Sequence, residues 1–189
     1  MNDENWRDQY KRACRSTNLV RALAEGSVRE PHPAIFNPED AVYHACVDIF
    51  HLRDWIAVEC DDVGCAIRQL DDELFKQSVE LAACRDIANG YKHLKLDKPS
   101  FLPTGEHSEL AGREFRVSFA EDRHQFIYRV RIGDNQVEAI RLLDGAMATW
   151  DMWFASSSTI ARKLRIDVRS NPWQGEAWEP QPWGIVRGD

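Results

Sequence analysis

Near the start of the chain, less polar residues recur every three or four positions. Trp6, Tyr10, Ala13, Leu19, Val20 and Leu23 follow this spacing and predict a first helix from about Asn5 to Glu25, ended by Gly26. The prolines of Arg29-Glu30-Pro31-His32-Pro33 then hold the chain extended. Asn37-Pro38-Glu39-Asp40 predicts the next helix start: Asn37 can cap, Pro38 suits the first helical position, and two acids complement the positive end of the helix dipole. This second helix is expected to reach about Glu59. Asp61 to Gln69 reads as a short turn of helix. A third long helix is expected from about Asp71, turning Leu74, Phe75, Val79, Leu81, Ala82, Ile87 and Ala88 toward a core.

After Leu96 the texture changes, because Lys98-Pro99-Ser100-Phe101-Leu102-Pro103-Thr104-Gly105 interrupts any helical pattern. Strands are expected next. Phe115, Val117 and Phe119 alternate with Arg116 and Ser118. Phe126, Tyr128, Val130 and Ile132 alternate with Ile127, Arg129 and Arg131, across a polar turn at Glu121-Asp122-Arg123-His124. A turn at Gly133-Asp134-Asn135 leads to a third strand over Val137 to Leu143. Asp144 would then cap a last helix bearing Met147, Trp150, Trp153 and Phe154 and ending near Ser156-Ser157-Ser158. From Arg165 onward Trp173, Trp178 and Trp183 stand among prolines and glycines without a period. Three tryptophans are costly to leave in water, so this tail is expected to lie on its own domain or to anchor a homodimer or protein partner.

A chain of 189 residues can bury one sizeable core. The expected architecture is a single α+β domain over residues 1–164. It comprises a helical bundle over about 1–96, a small antiparallel sheet with a final helix over about 113–164, and an irregular tail at 165–189. The net charge of −7 argues against a wholly basic, nucleic-acid-coating surface and leaves room only for local contacts, such as a strip of Arg116, Arg129 and Arg131 on the hairpin. There is no basic region followed by an apolar run at Met1–Arg7, nor any apolar stretch near the roughly 18 residues needed to span a bilayer. A cytoplasmic protein without a membrane partner is expected. The five cysteines, Cys14, Cys46, Cys60, Cys65 and Cys84, are dispersed and never spaced Cys-x-x-Cys, so buried free thiols are the expectation.

Candidate chemistry sits in two helical rows. At roughly 100° per residue, His44, Asp48, His51 and Trp55 fall within about 60° of one another on the second helix. Asp86, Asn89 and His93 do the same on the third if the helix continues through Gly90, whereas a left-handed cap at Asn89-Gly90 would swing His93 away. If the rows face each other, three imidazoles, two carboxylates and an amide surround one crevice. In a metal-independent site His93 would be the general acid or base, Arg85 or Lys92 would stabilise a phosphate-centred transition state, and Asn89 or Asp86 would fix the ring. As a structural network, the same groups would tie two helices together, leaving a non-catalytic interaction module. As a metal site, His44, Asp48, His51 and His93 would ligate a divalent ion in a hydrolase. Only this last reading calls for a cofactor.

Arg85, a polar residue at Asp86 and then His93 resemble the signature of the HEPN group, four-helix-bundle proteins that include ribonuclease toxins and effectors of bacterial conflict and phage defence. The resemblance covers about residues 37–96. It implies a helical bundle in which Arg85 and His93 line an RNA-cleaving cleft shared by two protomers, with RNA as the partner. The segment Asp86-x-x-Asn89-x-x-Lys92-His93 is also similar to one in uncharacterised bacterial and phage-encoded proteins, from which no activity is carried over. A metal-independent ribonuclease using His93 and Arg85, supported by Asp86, Asn89 and Lys92, is the resulting expectation.

Overall fold

The first helix forms where the sequence supplies both of its ends. In the computed structural model, which describes residues 5–27, 37–92, 99–118 and 123–164, α1 runs Trp6–Glu25. Asn5 accepts the N–H of Arg7 while the Asp8 carboxylate accepts the N–H of Asn5, a reciprocal box that satisfies donors the first turn would otherwise leave open. Gly26 closes the helix at φ 70°, in the left-handed region that glycine enters without steric penalty. Helix α2 spans Pro38–Val58, with Asn37 accepting the N–H of Glu39 as expected of a cap.

The expected third helix is two pieces. Helix α3 (Val63–Leu70) passes into a π-helical turn at Asp71–Phe75, where the Lys76 N–H reaches back to the Asp71 carbonyl, and the chain then breaks before α4 (Val79–Lys92). The break falls at Ser78, whose hydroxyl accepts the N–H of Leu81 and so starts a new helix instead of continuing the old one. At its far end α4 runs through Gly90, which is not left-handed. The helix thus continues through Gly90 as the alignment of Asp86, Asn89 and His93 requires, and His93 itself lies outside the described residues.

Strands β1 (Glu109–Ser118), β2 (Arg123–Ile132) and β3 (Asn135–Glu138) form an antiparallel sheet in the order β1-β2-β3. The third strand is shorter than the sequence suggested, because α5 (Ala139–Phe154) begins inside the segment expected to be strand. Ala139, Leu142, Leu143, Ala146, Met147, Trp150, Trp153 and Phe154 are all buried, and this helical spacing outweighs the strand propensity of the first few residues. Asp144 accordingly sits within α5, paired with Arg21 at 2.5 Å, and caps nothing. A short α6 (Thr159–Leu164) follows. The tail from residue 165 onward lies outside the described residues.

Helices α1, α2, α4 and α5 pack around one core, onto which β2 lays Tyr128 and Val130. Aromatic rings form its centre. Phe50 meets Phe75 edge-on at 5.7 Å, Phe75 meets Trp150 at 6.0 Å, and Trp6 lies 5.3 Å from Phe154. The first helix is also stitched to the last ones by polar bonds: the Tyr10 hydroxyl donates to Asp151 at 2.6 Å and Arg7 to the Leu164 carbonyl at 3.3 Å. The fold is mainly helical α+β. No helix among the described residues is long and apolar enough to cross a membrane.

Candidate functional site

The two polar rows turn away from each other. Cys46 on α2 and Cys84 on α4 are fully buried where these helices meet, close enough for one thiol to contact the other. Asp48 and Asp86 each lie two positions further along, about 160° around the helix from the seam. The α2 row consequently faces α1. Ser16 donates to the Asp48 carboxylate at 2.5 Å and Gln9 to its carbonyl at 2.8 Å, while the Arg12 guanidinium lies 4.9 Å from the centre of the Trp55 ring. His44 is exposed. His51 contacts Asp54 through Nδ1 at 3.0 Å. Burial works against the Asp54 charge, but the hydrogen bond from His51 and the Arg53 guanidinium outweigh it and hold the carboxyl below its ordinary value. Among the described residues, no three His, Cys, Asp or Glu side chains come together as a metal-ligand set.

On α4 the outward row meets the chain that leads into the sheet. Asp86 is 1% exposed, and four donors or cations converge on its carboxylate. Ser100 Oγ donates to Oδ2 at 2.5 Å and the Ser108 N–H donates to the same oxygen at 3.2 Å. Arg85 Nη1 and His107 Nδ1 each lie 3.3 Å from Oδ1. The returning segment is shaped for this contact. The Leu102 N–H bonds back to Ser100 Oγ, the Gly105 N–H to the Leu102 carbonyl, and Gly105 turns at φ +72°, bringing His107 and Ser108 over the end of α4.

The Arg85 guanidinium is itself 9% exposed and lies between the Asp86 carboxylate and the face of Phe101, 4.0 Å from the ring centre. His107 is less enclosed. Its side chain is 30% exposed, yet Nδ1 is buried and misses good hydrogen-bond alignment with the carboxylate. The ring's accessible edge is therefore the one carrying Nε2. The Ser108 hydroxyl is buried beside it without a hydrogen-bond partner among the described residues. The arrangement can hold an imidazole by one nitrogen against a buried carboxylate and present the other, with a guanidinium alongside.

Of the predicted residues, Arg85 and Asp86 are brought together here. Asn89 follows, half-buried, on the same side of α4. Lys92 closes the helix and only its backbone is described. His93 lies outside the described residues. His44, Asp48 and His51 belong to the other side of the bundle. Sequence reasoning missed Ser100, Phe101, His107 and Ser108, because their contact with Asp86 depends on a turn closing across the helix end. The available signal was a histidine just after a Pro/Gly-punctuated loop and just before a strand, a place where side chains are held by a rigid scaffold but face outward. The basic strip on the hairpin is largely neutralised: Arg116 pairs with Glu114 at 2.7 Å, Arg129 with the same carboxylate at 3.5 Å, and Arg131 with Glu109.

No protein-family model matches the chain, and neither the curated proteins nor the solved structures contain a match.

Proposed function

We propose that the junction of α4 and β1 is the acid–base centre of a metal-independent ribonuclease, with His107 moving the proton, Arg85 stabilising charge on the phosphate and Asp86 positioning both. The observation that supports it is a partly exposed imidazole whose buried nitrogen lies 3.3 Å from a buried carboxylate, next to a guanidinium. In such a site Nε2 takes the proton of the ribose 2′-hydroxyl as that oxygen attacks the adjacent phosphorus. The P–O5′ bond breaks and O5′ takes a proton from water, leaving a 2′,3′-cyclic phosphate and a 5′-hydroxyl end. A positioned imidazole contributes about 10²–10⁴-fold to such a step. The activity is the one the HEPN resemblance implies, with the histidine supplied by the loop before β1.

The test is cleavage of total RNA and tRNA in chelator by wild type, His107→Ala and His93→Ala. His107→Ala should lose about 100-fold or more in rate while its melting temperature stays within a few degrees. Loss with His93→Ala alone would return the role to His93. No cleavage by wild type would overturn the reading. The saturation of Asp86 by donors favours one alternative, a purely structural hub in a non-catalytic interaction module. In that case no variant would alter an activity and all the consequence would appear in stability.

A further inference from the structure

Where the C-terminal end of α5 meets the end of α3 and the π-helical turn lies a groove of about 550 Å³, within the usual size of small-molecule sites. It is apart from the Asp86 cluster and shares no residue with it. Its floor is apolar, made of buried Leu74 and Trp153, and one wall is Met152, which is 67% exposed and the most exposed large apolar side chain on α5. An apolar side chain left in water beside a concave surface is a recognised mark of a binding site. Much of the remaining lining is polar, including Glu73, Thr149, Ser156, Ser158 and Thr159.

Glu73 decides what could bind there. It sits within the π-helical turn, a local widening of the helix that is frequent at functional sites. Its two carboxylate oxygens accept from Gln69 Nε2 and from the Trp153 indole N–H, each at 2.7 Å. Both donors are neutral. Lys76, the cation nearest in sequence, is engaged by Asp72 at 2.5 Å. Burial disfavours the Glu73 charge, but the hydrogen bonds from Trp153, Gln69 and Ser158 overcome it and keep the carboxyl below its ordinary value. The Ser158 hydroxyl is buried and, although close enough to favour that charge, makes no well-aligned hydrogen bond within the described structure. A carboxylate has about four acceptor positions; Gln69 and Trp153 fill two, and the Ser158 hydroxyl stands close enough to occupy a third, which leaves acceptor capacity to spare. The groove therefore offers an exposed, ionised carboxylate with acceptor capacity to spare, hydroxyl oxygens nearby, and the apolar side chains of Leu74, Met152 and Trp153 in the same lining.

We propose that this groove binds a small protonated primary alkylamine, its ammonium on Glu73 and the Ser158 hydroxyl and its alkyl stem along Met152, Leu74 and Trp153. A primary ammonium brings three donors and no acceptor, which matches a rim made of acceptors. An anion would meet the Glu73 charge, and a neutral alcohol would bring this exposed carboxylate one donor in place of three. The acidic protein as a whole adds a long-range pull on cations. This proposal does not rest on the ribonuclease reading.

The experiment follows the Trp153 indole N–H resonance by ¹H–¹⁵N NMR, assigned with Trp153→Phe, while n-butylammonium chloride or 1-butanol is added. A saturable shift with the amine is expected, with affinity about tenfold or more weaker for the alcohol. Glu73→Gln should weaken amine binding by a similar factor without unfolding the protein, because the Gln69 amide can flip to pair with the new one. Equal binding of amine and alcohol, unchanged binding in Glu73→Gln, or no saturable shift would each overturn the proposal. Tighter binding of Nα-acetyl-lysine N-methylamide than of butylammonium would overturn the assignment to a small free amine and give the site to a lysine-bearing peptide.

Discussion

Replacing Asp86 with alanine removes the acceptor on which four groups depend. Ser100 Oγ and the Ser108 N–H lose their carboxylate oxygen, Arg85 loses its ionic partner while 9% exposed, and His107 Nδ1 loses the group that faces it. Each buried donor left without an acceptor costs about 1–3 kcal/mol, but a small cavity admits water and the costs do not add fully. Breaking a buried ion pair by removing one partner typically costs about 3–5 kcal/mol, and we take that as the whole effect. For a chain of this size it lowers the melting temperature by roughly 6–20 °C, at 2–4 °C per kcal/mol. Asp86→Asn keeps one acceptor oxygen but turns an amide donor toward other donors, so it should lie between wild type and alanine. His107→Ala should cost least of the three, because the carboxylate keeps Ser100, Ser108 and Arg85. Thermal and urea unfolding followed by circular dichroism measure all three. A melting temperature for Asp86→Ala within about 2 °C of wild type, or a larger loss for His107→Ala, would refute the view that this carboxylate holds the junction together.

Other perturbations test other parts of the molecule. Asp151 accepts from Tyr10, yet burial raises its carboxyl above the ordinary 3.8, and the hydrogen bond only partly offsets this. A raised folded value means that the group favours the fold most when protonated and loses that contribution as the pH rises through the folded value. Asp151→Asn should therefore be neutral or stabilising near pH 7 in urea unfolding, and clear destabilisation there would contradict the assignment. Asp54 has the opposite sign: its lowered value gives a contribution present above 3.8 and lost as the pH falls through the folded value. His51→Ala should thus flatten the acid limb of the stability–pH curve below about pH 4. Gly90 is exposed, helical and has open space around its α-carbon among the described residues. Gly90→Ala should add about 0.5–1 kcal/mol, read as a rise in melting temperature, and a fall would place that residue outside a helix. Cys65 is exposed, whereas burial pushes the Cys14 thiol up to about 11 and Cys46 and Cys84 are fully enclosed. Maleimide should label Cys65 first and the enclosed pair only on unfolding, and mass spectrometry of partly labelled protein would reveal any other order.

The helices were legible wherever local chemistry marked their ends. Gly26, Asn37 and Pro38 each act within a turn of themselves, and the structure uses all three as the sequence suggested, while the box of Asn5 with Asp8 starts α1 where the apolar period alone gave only an approximate beginning. The break at Ser78 was harder to see, because Leu74 and Phe75 continue the apolar period across it. The start of α5 was obscured differently: Val137 to Leu143 reads equally well as a short strand, and burial against the bundle settles the competition. Periodicity also placed each polar row on one face of its helix but carried no information about which neighbour that face meets. That depended on the apolar residues of the α2–α4 seam, which point both aspartates outward. The residues around Asp86 come from 14 and 22 positions away, beyond the reach of any spacing rule.

The stitching of α1 to α5 and α6 bears on how the chain is made. Tyr10 waits for Asp151, which lies 141 positions later, and Trp6 waits for Phe154. At a synthesis rate of about 5–20 residues per second, α1 leaves the ribosome on the order of ten seconds before the helix that covers it. During that interval the buried face of α1 has α2 as company, but Trp6 lacks the Phe154 ring that finally covers it. The last wall of the core is thus translated long after the first, and the nascent chain presents an amphipathic helix to chaperones until α5 arrives to complete the bundle.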